Sequence, residues 1–492
     1  MALTAVFTSP LTIRLVVWLG AATISGVVTF TGSAGLVDSI PLAALAGIVA
    51  AVATVAWLRR QPIENAAARA PRAVRLAFLV GTALVGFQLL WLVPFIIDPN
   101  RTTWGPGPTA PLPSFHSCVS AYWIADAAVA RVPDIYSEGL SSIPQPDPTA
   151  RRVPRRMGPF NIDAFEYPPT FLLVPRLIAL ATSDFWGFRR FWFALNFAAV
   201  VAIAIGIARR LDGVAGTHSV WLTPYVIAAP PIMSTFQVGN VQMAIIAVSA
   251  LAMLLFERRA YALGGLLLAY VIAAKIYPGV LVLYLLLRRD WRAVGWTGGV
   301  GATLVVASLA TFGWTPFAAF LDHAPKIISG EAFPAFRNPL AIANNGSVPG
   351  LVFKLPLFGL PHMGFGGMRT VGWLYTLVVI AGTAWLALRA RHEGREPLVW
   401  LAILLLATMR SPFLPTYAAF PSLWLATFMA ALAWRDARPV TPIVACWVLL
   451  SIGFGPGGLP PLWNAIWTTI QTAIAFVMLA AVFRHLRVSR AE

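Results

Sequence analysis

Charge is what this chain has least of. Only 11% of its 492 residues are Asp, Glu, Lys or Arg, while 58% are hydrophobic, and the mean hydropathy is +0.75. Soluble domains carry about 25% charged residues, so a water-soluble globular enzyme, a disordered chain and a fibre are all excluded. The two cysteines, Cys118 and Cys446, are too few for a disulfide framework; one falls in a loop and the other mid-span. The 19 acidic residues lie almost entirely in loops. No Asp or Glu falls in the middle of a predicted span, which argues against a proton- or ion-coupled transporter. Zinc-ligand spacing, a Walker loop and a glycine-rich dinucleotide fingerprint are also missing. No cofactor is therefore expected, although a divalent metal held by loop carboxylates is allowed.

What the chain has in abundance is apolar runs long enough to cross a bilayer. They fall near 12–34, 40–58, 76–97, 188–208, 218–233, 240–256, 260–274, 277–288, 293–313, 369–389, 397–410, 413–434, 439–455 and 465–484. The expected fold is an all-α polytopic membrane protein of about 12–14 transmembrane helices. A segment over 1–75 (a hairpin and a cytoplasmic loop) precedes a core over 76–492. The net charge of +17 comes from 36 basic residues, of which only Lys275, Lys326 and Lys354 are lysines. Its distribution follows the positive-inside rule. With both termini in the cytoplasm, every cytoplasmic turn carries arginines, as at Arg209–Arg210, Arg258–Arg259 and Arg288–Arg289, and the short outer turns carry almost none. This predicts a multi-pass protein of the cell membrane with no cleavable leader, and it accounts for the high pI without a nucleic-acid partner.

Two long segments, 98–187 and 314–368, then fall outside. The first is broken by proline-rich tracts that resist helix, but it contains two helical stretches, 116–132 and 167–182. If 167–182 crossed the membrane, every later arginine turn would invert, so both stretches are laid along the outer interface. The polar groups cluster at this outer mouth. That suits chemistry at the membrane–water boundary, on a substrate with a lipid tail and a polar head. Lys275 is the one cation within an apolar stretch, at a turn that Pro278 supplies. It is either a snorkelling lysine or a phosphate ligand. Arg410, at another outer turn, has the same two readings. Arg189 and Arg190 open a span beside Trp186 and Trp192, as structural anchors or as phosphate ligands. Arg151, Arg152, Arg155 and Arg156 read as a solvated or headgroup-bound run.

Four blocks resemble a known family. FEYPPTFLLVPRLIAL is similar to the "YPP" segment of the actinobacterial polyprenyl-phosphate-mannose-dependent glycosyltransferases. The stretch from GNVQMA to AAKIYPGV resembles their "GQ-N" span, basic turn and "K-x-x-P" segment. ANNGSVPGLVFKL resembles their outer "N-Q-S-x-x-G" motif, and RSPFLPTYAAFPSLWL their "S-P" segment, with Tyr417 where a His is frequent. The resemblance implies the GT-C fold, a catalytic first outer loop, a polyprenyl-phosphate sugar donor (mannose first, arabinofuranose second) and a cell-envelope lipid or glycan acceptor. It also implies sugar or acceptor binding at Asn240, Asn344, Asn345, Ser347 and Tyr417, and phosphate binding at Lys275 and Arg410. The family opens its first interfacial helix with an Asp; here HSCVSAYW occupies that place, with the Asp position near His116 to Cys118. Either Asp98 or Asp126 replaces that Asp in space, or the chemistry differs, or the chain is a non-catalytic scaffold or lipid-linked-sugar carrier.

An inverting transfer needs a base for the acceptor hydroxyl and cations for the leaving phosphate. Asp98 directly follows a span and is anchored by it. Asp322–His323 opens the second outer loop, and His323 titrates near neutrality. His116 stands at the family's Asp position, and Asp126 lies further along the same helix. Asp98 and His323 rank first.

Overall fold

The computed structural model describes residues 9–60, 71–104, 115–143, 153–211, 213–389, 395–415, 418, 420–436, 438–452 and 460–488. The apolar runs named above hold the helices α1 (Pro10–Leu36), α2 (Ile40–Leu58), α3 (Arg72–Ile97), α6 (Phe185–Leu211), α7 (Gly213–Ala228), α9 (Gln242–Glu257), α10 (Tyr261–Ala274), α11 (Val280–Leu287), α12 (Trp291–Phe312), α16 (Gly364–Arg389), α17 (Glu396–Thr408), α18 (Phe420–Arg435), α19 (Thr441–Ser451) and α20 (Pro461–Val488); the run expected over 218–233 is broken at Pro230, where a new helix starts. The interfacial stretches are α4 (Cys118–Ala128) and α5 (Leu173–Ala181). The remaining α-helices among the described residues are α8 (Pro230–Val238), α13 (Thr315–Ser329), α14 (Pro339–Ala343) and α15 (Leu351–Lys354). The protein is an all-α polytopic membrane protein. Among the described residues, seven helices (α1, α2, α3, α6, α12, α16 and α20) are each long and apolar enough to cross a bilayer, and α8 with α9 makes an eighth candidate, bent by 103°.

Local chemistry sets the helix ends. Ser9 caps α1 by accepting from Thr12 N at 3.2 Å, and Asp290 caps α12 by accepting from Ala293 N at 3.1 Å. Both satisfy an amide that the first helical turn leaves orphaned. The two basic turns are closed alike: Arg259 and Arg289 take φ of 60° and 57°. That left-handed residue ends one helix so that the next returns at once. At the same end of the bundle as the first turn, Arg210 pairs with Glu257 at 2.6 Å and with Glu396 at 3.0 Å, joining α6, α9 and α17.

Helices α17 and α18 are buried almost throughout and form the bundle's interior. Helix α2 leaves most of its large apolar side chains exposed, and α1 leaves Leu11, Leu15, Leu19 and Leu36 exposed, which in this setting is a lipid-facing surface. Helix α1 docks on α6 through glycine. A Cβ at Gly35 would stand 2.6 Å from the Gly187 carbonyl, and one at Gly187 would stand 2.7 Å from the Gly35 carbonyl. The backbones thus touch, as at other small-residue crossings in membranes.

Candidate functional site

The first long loop is organised by two very small sheets, in one of which β2 (Ser142–Ile143) pairs with β3 (Val153–Pro154). Strand β1 (His116–Ser117) runs parallel to β5 (Phe160–Ile162), with His116 opposite Asn161 and Ser117 opposite Ile162. Strand β5 turns back on β4 (Arg156–Met157) through Gly158, whose φ is +56°. This pairing carries the next residues, Asp163 to Tyr167, to the start of α4. Ser120 fastens them there: its hydroxyl donates to the Ser117 carbonyl at 2.6 Å and accepts from Asp163 N at 3.0 Å.

The outcome is a cluster drawn from three distant stretches of chain. Asp163 Oδ2 lies 3.5 Å from His116 Nε2, and His116 Nε2 lies 3.3 Å from Cys118 Sγ. One ligand atom each from His116, Cys118 and Asp163 all fall within 4.8 Å of one another, so among the described residues these three could hold a metal ion. Lys275, at the end of α10, lies with Nζ 5.3 Å from the centre of the Tyr167 ring. Burial alone would lower the pKa of the His116 imidazole, but Asp163 first, then Cys118 and Glu166, raise it to about 10. Glu166 is pushed well above the usual carboxylate range by burial and by the Asp163 charge, against the pull of Lys275 and His116. A buried, shifted carboxyl among charged neighbours is the pattern of a functional-site candidate.

The floor of the cluster is the break in the bent span. Gly239, at φ +70°, ends α8, and its carbonyl accepts from Trp192 Nε1 at 2.9 Å. Asn240 donates through Nδ2 to Cys118 Sγ at 3.3 Å and accepts from Gln242 N at 2.8 Å. Val241 N donates to the Tyr122 hydroxyl, which itself lies 3.2 Å from that of Tyr167. The wall is aromatic: Tyr122 meets Tyr167, Phe171 and Trp192 with ring centres 5.0 to 5.4 Å apart.

The residues singled out in the sequence fall in different places. His116, Asn240 and Lys275 belong to this cluster. His323 sits on its rim, stacked on Tyr136 at 4.9 Å, and the Tyr136 hydroxyl donates to the Tyr167 carbonyl at 2.8 Å. Burial lowers the His323 pKa, and Lys326 adds to this against Asp134. Its neighbour Asp322 is exposed. Asp98 is exposed at the end of α3, where its carboxylate accepts from Asn100 N at 2.9 Å, the role of a turn-forming Asp. Asp126 is buried and paired with Arg176 at 3.0 Å.

Arg189 is buried between the Phe95 and Phe160 rings and donates to the Phe95 carbonyl at 3.1 Å. Arg190 donates to the carbonyls of Ala34 and Ile97, so these two arginines clamp the ends of α1 and α3. Arg410 donates to Thr376 on α16 at 2.7 Å. Asn344 closes on its own helix by donating to the Leu340 carbonyl. Asn345 and Ser347 are fully buried and both donate to the Pro412 carbonyl, while Asn345 Oδ1 accepts from Ser347 N and Leu414 N. They knot the second outer loop to the SPFLP turn. Arg155 and Arg156 are exposed. Arg151, Arg152 and Tyr417 lie outside the described residues. Asp163 and Glu166 were visible only as two of many outer carboxylates. The H-S-C beside them was the signal, but its partner is reached through strands of two and three residues.

Comparison with known proteins gives a family. The sequence model of glycosyltransferase family 87 matches residues 165–415, half of the chain. Two relatives carry the name polyprenol-phosphate-mannose-dependent alpha-(1-2)-phosphatidylinositol mannoside mannosyltransferase. The Mycobacterium tuberculosis protein is 26% identical over 217 residues, 42% of this chain and 46% of that protein. The Mycolicibacterium smegmatis protein is 32% identical over 173 residues, 34% of this chain and 35% of that protein. The chain thus spans less than half the length of either relative. No solved structure matches.

Proposed function

The chain belongs to glycosyltransferase family 87, and from that premise we propose that it transfers mannose from a polyprenyl-phosphate donor to a lipid acceptor of the phosphatidylinositol mannoside class. The donor and acceptor classes are those named for the two mycobacterial relatives. The reaction takes place on the outer face, with both termini in the cytoplasm, as the arginine distribution supports.

The observation that carries the reading is the position of Glu166, partly accessible in the outer cleft and under the opposed influences of Asp163 on one side and of Lys275 and His116 on the other. A base gains from a raised proton affinity, and burial raises that of Glu166. Asp163 is held against the His116 imidazole. Glu166 takes the proton of the acceptor hydroxyl as that oxygen bonds to the anomeric carbon from the face opposite the phosphate. The bond from the anomeric carbon to the phosphate oxygen breaks with its electron pair, and polyprenyl phosphate leaves with inversion at the sugar. Lys275 neutralises the leaving phosphate. The aromatic wall of Tyr122, Tyr167, Phe171 and Trp192 keeps water from the sugar.

The test is turnover of radiolabelled polyprenyl-phosphate mannose by purified protein, with Glu166→Gln and Asp98→Asn compared at equal amounts of folded enzyme. Glu166→Gln is expected to lower turnover by about 10²–10⁴, and Asp98→Asn to leave it close to normal. Turnover of Glu166→Gln within about tenfold of the parent would overturn the assignment of the base.

A further inference from the structure

We infer that His116, Cys118 and Asp163 form a binding site for a zinc-class dication at the mouth of the outer cleft. Zinc binds nitrogen at about 2.0–2.1 Å, sulfur at about 2.3 Å and carboxylate oxygen at about 2.0–2.2 Å. Around a tetrahedral ion such ligands stand roughly 3.3–3.8 Å apart. Here Nε2 to Sγ is 3.3 Å, Nε2 to Oδ2 is 3.5 Å, and all three atoms lie within 4.8 Å of one another. Both distances from His116 are therefore already at ligand spacing.

Their chemistry selects the ion. A thiolate with an imidazole suits zinc and its first-row neighbours, whereas magnesium and calcium take oxygen. A thiolate and a carboxylate carry two negative charges, which a dication balances. The ligands are also held from behind. Asn240 Nδ2 donates to Cys118 Sγ, and Ser120 fixes the Asp163 backbone. Such supporting bonds orient ligands at metal sites. Three protein ligands leave a fourth position open, the arrangement of zinc sites that bind water or a substrate oxygen. Sequence spacing conceals the set, because Asp163 arrives only through the β1–β5 pairing.

This site shares His116 and Asp163 with the glycosyl-transfer reading, but its test reads metal binding, so either can fail alone. The full chain in detergent is stripped with a chelator, exchanged into metal-free buffer and titrated with Co²⁺. Equimolar uptake is expected, with a sulfur-to-cobalt charge-transfer band in the near ultraviolet and visible bands of four-coordinate intensity, all displaced by Zn²⁺. The chain has two cysteines, so Cys446→Ser must keep the charge-transfer band and Cys118→Ser must lose it. Asp163→Asn is expected to weaken cobalt binding by at least about tenfold. Should Cys118→Ser fail to fold, the Cys446→Ser protein still decides, since its only sulfur able to form a thiolate is Cys118. The absence of a charge-transfer band in the parent protein, its loss in Cys446→Ser or its survival in Cys118→Ser would each overturn the proposal.

Discussion

The Asp163 carboxylate lies 3.5 Å from His116 Nε2, beside the first turn of α4. The family that this chain resembles has an Asp near the His116–Cys118 position, and here the carboxylate arrives from a neighbouring strand instead. Asp163→Asn and His116→Gln are each expected to lower turnover by about 10–100-fold. The double variant should fall no further than the weaker single one, because contacting residues couple. Additive losses in a double-mutant cycle would separate the two residues.

Gly239 sits at φ +70°, and a Cβ there would stand 2.0 Å from Val119 Cγ2. Gly239→Ala is expected to lose about 2–4 kcal/mol of stability, from the left-handed backbone and the clash together. A Cβ at Gly86, in the middle of α3, would meet nothing within 4 Å, so Gly86→Ala should be neutral or gain up to about 1 kcal/mol. Thermal unfolding in detergent compares the two.

Asp126 is raised to about 6 by burial, against the pull of Arg176. A carboxyl raised in the folded state gives up stability as pH climbs from its unfolded value toward the folded one. Removing Arg176 moves the folded value higher still. Arg176→Ala should therefore cost about 1–3 kcal/mol at pH near 8 and less near pH 5. Asp126→Asn, which leaves no buried charge unpaired, should cost less than Arg176→Ala at the higher pH. Melting curves at both pH values check the order.

Lys354 is fully buried, its Nζ has no hydrogen-bond partner among the described residues, and burial lowers its pKa from 10.5 to about 7. Between about pH 7 and about pH 10 the unfolded chain holds a proton there that the folded chain does not, so stability rises with pH across that window. Lys354→Met should be more stable than the parent at pH 7 and should lose this rise. A parent protein whose melting temperature is flat over the window would contradict it.

A cysteine placed at Ser137, which is exposed in the first outer loop, should react with an impermeant maleimide in intact cells. Reaction only after permeabilisation would reverse the orientation and put the cluster on the cytoplasmic side.

Much of the fold was legible because a bilayer leaves the backbone few choices: an apolar run of this kind must be a helix. The paired arginines at 258–259 and 288–289 mark turns that the backbone closes with a left-handed residue. The interfacial stretches were separable by their prolines and by the arginine alternation. The cluster was harder to read. His116, Asn240 and Lys275 stood out by type and position, but Glu166 and Asp163 gain their meaning from a β1–β5 register that no periodicity announces in strands so short. Asn345 and Ser347 show the converse. Polar residues in an outer loop look available for a sugar, yet these two are consumed by the Pro412 and Leu414 backbone.

Helix α10 has 14 residues between the arginine turn and Lys275, which at 1.5 Å per residue is about 21 Å, against a hydrocarbon core about 30 Å thick. With α10 set along the bilayer normal from its arginine turn, the lysine would stand beneath the level of the headgroups. On the function proposed above, a prenyl phosphate would reach it by sliding sideways between helices without lifting its tail from the bilayer. Depth, on this geometry, sorts the substrate: a sugar phosphate lacking a membrane tail would have to descend to a cation that a lipid-borne one meets at its own level.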